Sequence, residues 1–99
     1  MRSVFWSAEA LNDFDDQINY ISLRSQKNAA LVADRIEAAV VALQSAPTGR
    51  FGRVTGTYEK LVSRTSLIIA YSLGADDAIN IVRIIHAARD WPDENWPSD

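Results

Sequence analysis

Apolar residues recur along the first half of the chain at steps of three and four: Ala8, Leu11, Phe14, Ile18 and Ile21, then Ala29, Val32, Ala33, Ile36, Ala39, Val40 and Leu43. Such spacing lines one side of an α-helix, so two amphipathic helices are predicted. Ser7 is placed to cap the first, and Glu9 sits in its first turn, where the helix dipole favours an acid. That helix is expected to end near Leu23 or Arg24. A break at residues 25–28 precedes the second, which stops at Pro47. Asn12, Asp13, Asp15, Asp16 and Gln17 occupy the other side of the first helix and read as a solvated face. No second ligand group lies at the spacing a metal would need. The short connection predicts an antiparallel pair, and Ala29, Ala30, Ala33, Ala38, Ala39 and Ala42 allow close approach to neighbours.

The pattern changes after Thr48. Gly49, Gly52 and Gly56 punctuate a loop with Arg50 and Arg53 between them, and residues 58–62, 66–73 and 78–85 read as three strands. Residues 74–77 supply a turn, and the short connections require an antiparallel meander. A brief aromatic strand, residues 2–6, opens the chain. The expected fold is α+β: two N-terminal antiparallel helices packed on a small, mainly antiparallel sheet made of the short N-terminal strand and the three-strand meander. Residues 1–92 read as one domain and residues 93–99 as an acidic tail.

Composition narrows the chemistry. Without cysteine, disulfides, thiolate zinc sites and cysteine nucleophiles are excluded, and a cytoplasmic setting is the default. No apolar run approaches the roughly 18 residues that span a bilayer, and no signal-peptide zones open the chain, so no membrane role is expected. The net charge of −3 is distributed unevenly. Residues 1–49 carry four bases and six acids, residues 50–89 six bases and three acids, and residues 90–99 four acids and no base. Five of the six central bases are arginines: Arg50, Arg53, Arg64, Arg83 and Arg89. Arginine suits bidentate contact with carboxylate or phosphate, which points to an anionic partner, unless these side chains are solvated or paired internally.

Arg83 stands out because it interrupts an isoleucine-rich strand. Either it forms a buried ion pair, with Glu59 as a possible partner, or it works on an open sheet face. His86 is the single histidine, which excludes most metal sites. It lies three positions beyond Arg83, so in a regular strand the two point to opposite faces. They converge only if the strand ends or bulges between them. The segment at residues 49–57 lacks the Gly-Lys-Ser/Thr ending of a phosphate-binding loop, and no serine lies in a nucleophile-elbow context. No cofactor or metal is implied by any motif.

Four segments together resemble the ParE branch of the RelE/ParE toxin superfamily. They are Phe5-Trp6-Ser7-Ala8-Glu9-Ala10 with Asp13-Phe14, the glycine segment 49–57 with Glu59-Lys60-Leu61-Val62, the strand Ile68-Ile69-Ala70-Tyr71, and the run from Ile81 to Trp91-Pro92. The last is the most specific. The resemblance covers nearly the whole chain except its final seven residues and implies the same helix-on-sheet fold. It also implies the toxin of a type II toxin–antitoxin pair, held in a hetero-oligomer by a cognate antitoxin whose disordered segment folds on the toxin.

The resemblance leaves the target open. RelE-type members cut mRNA on the ribosome by activating the 2′-hydroxyl, a reaction needing a base, an acid and cations around the phosphorane. Arg53, Arg64, Arg83 and His86 would carry it here, but the lysines, tyrosine and further acid groups common in such nucleases are thin. ParE-type members bind DNA gyrase and need no catalytic set, and this is the favoured expectation. A non-toxic interaction module of the same fold is a third reading. Target- or antitoxin-binding residues are expected among Arg50, Arg53, Tyr58, Arg64, Arg83, Arg89 and Trp91.

Overall fold

The computed structural model describes residues 1–86. Strand β1 (Val4–Trp6) leads into helices α1 (Ala8–Ser22) and α2 (Gln26–Ser45), followed by β2 (Arg50–Phe51), β3 (Tyr58–Leu61), β4 (Leu67–Leu73) and β5 (Ile79–His86). The strands form one sheet in the order β1-β5-β4-β3-β2. β1 runs parallel to β5, and the other pairings are antiparallel. This is the expected α+β arrangement of two helices on a mainly antiparallel sheet, with one strand more than the pattern indicated: β2 lies among residues read as loop.

Each helix starts on the serine suited to cap it. The Ser25 hydroxyl accepts the Asn28 N–H at 3.1 Å, and the Ser7 hydroxyl accepts the Ala10 N–H at 3.0 Å. Ser7 also donates its hydroxyl to the Val82 carbonyl at 2.8 Å and its N–H to the Ile81 carbonyl at 3.0 Å, which ties the start of α1 to β5. The apolar stripes of both helices then meet one sheet face. Ala10, Ile36, Leu43, Ile69, Tyr71, Ile79 and Ile81 are buried there, each large side chain contributing about 1.5–3 kcal/mol by leaving water. Ile68, Ala70 and Ile85 form a second buried cluster. No helix among the described residues is long and apolar enough to cross a membrane.

A β-bulge decides what β5 presents. Ala70 is opposite Arg83 while Tyr71 is opposite Ile81, so Val82 has no partner on β4. Strict alternation would send Arg83 to the same side as Ile79 and Ile81, into the helix-covered core. The extra residue exchanges the faces beyond it, so Ile84 enters that core and Arg83 leaves it.

Candidate functional site

Arg50, Arg53 and Tyr58, three of the residues singled out for partner binding, come together at the β2 end of the sheet. Their organiser is Glu59, a carboxylate 4% exposed. Its Oε1 accepts from Arg50 Nη2 at 3.2 Å, and its Oε2 accepts the backbone N–H of Arg53 at 2.9 Å, with Arg53 Nε 3.8 Å away. A charged group this deep is tolerated because its oxygens face two guanidiniums and an amide. The chain must pass close to do this. Gly49 has φ +138°, and a Cβ there would sit 2.6 Å from the Glu59 carbonyl oxygen.

Rings from the same strands occupy the opposite, helix-covered face of the sheet. Phe51 stacks on Tyr58 with centroids 5.7 Å apart, and Tyr58 stacks on Tyr71 at 5.5 Å. Tyr71 is fully buried, and its hydroxyl donates to the Thr48 carbonyl at 2.7 Å. Burial, helped by the neighbouring Tyr58, pushes the Tyr71 phenol above its ordinary value. Phe51, at the solvent end of the ladder, is 85% exposed. Sequence reasoning did not select Phe51 or give Glu59 this role. Register is what assigns them, since β2 pairs Arg50 with Glu59 and Phe51 with Tyr58.

Arg83 has a different partner from the one suggested by the sequence. Its Nε and Nη2 donate to the Asp13 carboxylate at 2.6 and 3.0 Å, and Asp13 Oδ2 also accepts the Ile84 N–H at 3.0 Å. Asp13 thus fills the stretch of β5 edge beyond the three residues that β1 covers. The Asp13 hydrogen bond outweighs burial and holds the Arg83 guanidinium more firmly charged than an ordinary arginine. Glu59, two strand spacings from Arg83 across Ala70, is engaged by Arg50 and Arg53 instead. Asp13, read as part of a solvated face, is therefore a structural residue.

The set that a ribonuclease would use does not converge. The bulge precedes Arg83, so His86 remains three residues along a regular stretch, opposite Leu67 and beside Gln17, Tyr20, Ile21 and Val32 in a cavity of about 250 Å³. Arg64 tops the β3–β4 turn with φ +60°, its carbonyl accepting from Arg35 at 3.3 Å. Arg53 is bound to Glu59 at another end of the molecule. A groove of about 550 Å³, lined by Phe5, Glu9, Gly56, Ser72 and Asn80 among others, has no cation among the described residues of its wall. Among the described residues no His, Cys, Asp or Glu group could hold a metal ion. Arg89, Trp91 and the tail at 93–99 lie outside the described residues.

Comparison with known proteins gives a single answer. The family model described as the ParE toxin of the type II toxin–antitoxin system parDE matches residues 4–91. A Sinorhizobium fredii protein named as a candidate toxin, Y4kP, is 34% identical over 92 residues, covering 92% of this chain and 94% of its own length. A solved chain of the chromosomal ParDE toxin–antitoxin system from P. aeruginosa shares the fold, with a TM-score of 0.77 and 24% identity over 87% of this chain and 96% of that one.

Proposed function

This chain belongs to the ParE toxin family of type II toxin–antitoxin systems, and from that membership we propose that it arrests growth by binding DNA gyrase. A cognate antitoxin holds it inactive in the cytoplasm as a hetero-oligomer, by folding a disordered segment on its surface. The observation that carries the binding mechanism is the dispersal of the candidate ribonuclease residues. Arg83 is engaged by Asp13, Arg53 by Glu59, Arg64 sits on a turn and His86 lies against the helices. General acid–base cleavage of RNA needs such groups within hydrogen-bond reach of one phosphate. Protein binding needs no such convergence, only a surface complementary to the partner.

Induction in bacterial cells separates the two mechanisms. Growth arrest should come with DNA breaks and with transcripts of normal length, and His86→Ala should arrest growth as strongly as the parent. Shortened transcripts together with loss of arrest in His86→Ala would replace this reading with ribosome-dependent mRNA cleavage.

A further inference from the structure

Two buried clusters lie on opposite faces of the sheet, and the helices cover only one of them. Ile69 and Ile84 point into the core beneath the helices, so their strand neighbours Ile68 and Ile85 point to the other face, where they meet Ala70. Among the described residues no helical side chain joins this second cluster, yet Ile68 is only 3% exposed. Side chains stand up from a pleated sheet, and strand neighbours shield their flanks but not their tips. Dry tips on this face need a cover.

Two larger side chains on the same face show where the cover stops. Val4 and Trp6 pack on the helix side, so Phe5 between them points away from it, and Leu61 stands directly opposite Ile68. Phe5 is 60% exposed and Leu61 62%. The cover therefore lies over β4 and β5 and reaches neither β1 nor Leu61.

The chain itself is placed to supply it. β5 ends at His86, one residue past Ile85, so residues 87–99 leave the sheet beside the cluster. Neighbouring strands are roughly 5 Å apart, whereas four extended residues reach about 13 Å. Residues 87–90 are thus enough to turn the chain back over β4 and bring up Trp91. Pro92 restricts Trp91 to extended backbone, and an aromatic side chain of this size covers about 150–250 Å², ample for a patch of two isoleucines and an alanine. A tethered segment also outcompetes a free one, since a short linker holds it at roughly millimolar effective concentration.

We propose that residues 87–99 fold back across the helix-free face of the sheet and that the Trp91 ring seals Ile68, Ala70 and Ile85. The occupant of this face is then the toxin's own chain and not a second copy or the antitoxin, whichever target the toxin binds.

Nuclear Overhauser contacts between aromatic rings and methyl groups, measured on the purified full chain at a concentration where it is monomeric, test this directly. Contacts should appear between the Trp91 indole and the methyls of Ile68 and Ile85. Trp91→Ala should erase them and lower the melting temperature by at least about 4 °C. Absence of these contacts in the parent would overturn the proposal, and so would a Trp91→Ala chain that melts with the parent. Contacts found only between labelled and unlabelled chains would overturn it in favour of a second copy. Methyls that become shielded only when the cognate antitoxin is added would overturn it in favour of the antitoxin.

Discussion

Asp13 satisfies three donors with one carboxylate, two on the Arg83 guanidinium and the Ile84 amide at the strand edge. Replacing it with alanine should cost about 2–3 kcal/mol of stability in urea unfolding, because hydrogen bonds to charged groups are the stronger kind. In a double-mutant cycle, Asp13→Ala with Arg83→Ala should cost less than the two single losses added together; strict additivity would mean the pair is not coupled. Tyr71 offers a test by pH. Its phenol is raised above 10.0 in the fold, so the neutral form is favoured by the native state. The stability this represents is fully present below the unfolded value and is lost as pH rises past it through the folded value. Melting temperature should therefore fall above about pH 10 in the parent. Tyr71→Phe should lose about 1 kcal/mol at neutral pH with the Thr48 hydrogen bond, yet show a shallower alkaline decline. Little at this scale could be read from the sequence alone. Arg83 advertised itself by interrupting an apolar strand, but Asp13 sits 70 residues away in a helix whose periodicity assigns it to solvent.

Elements were far more legible. Both helices follow directly from their apolar stripes, the first also from its Ser7 cap, and the three longer strands from their apolar richness. Two features were hidden for physical reasons. β2 is only two residues long and is flanked by glycines, so no alternation exists to detect it. The bulge at Val82 adds a residue without changing composition, and only the register with β4 reveals it. The loop entering β2 depends on backbone that side chains disfavour. Gly49→Ala combines a positive φ with a close approach to the Glu59 carbonyl, and should destabilise the fold by at least about 1 kcal/mol. Thermal unfolding checks this, and the loss should be accompanied by weaker ordering of the Phe51 ring in aromatic NMR resonances. A melting temperature equal to the parent's would show that the loop tolerates another path.

The described molecule is a helical scaffold on one face of a sheet whose outer end carries stacked rings on that face and the Arg50 and Arg53 contacts to Glu59 on the other. Length, charge distribution and helix-then-strand order were enough to expect this architecture, and the spread of matching segments was enough to expect the toxin family. The contacts at the β2 end were not legible, because they join residues of β2, β3 and β4 and centre on the buried Glu59 carboxylate. The proposed mode of action is gyrase binding without cleavage of nucleic acid. Supercoiling of relaxed plasmid by purified gyrase, titrated with the intact toxin, tests it most directly. Supercoiling should fall as toxin is added and recover when cognate antitoxin is supplied in equal amount, whereas undisturbed supercoiling at excess toxin would contradict the account.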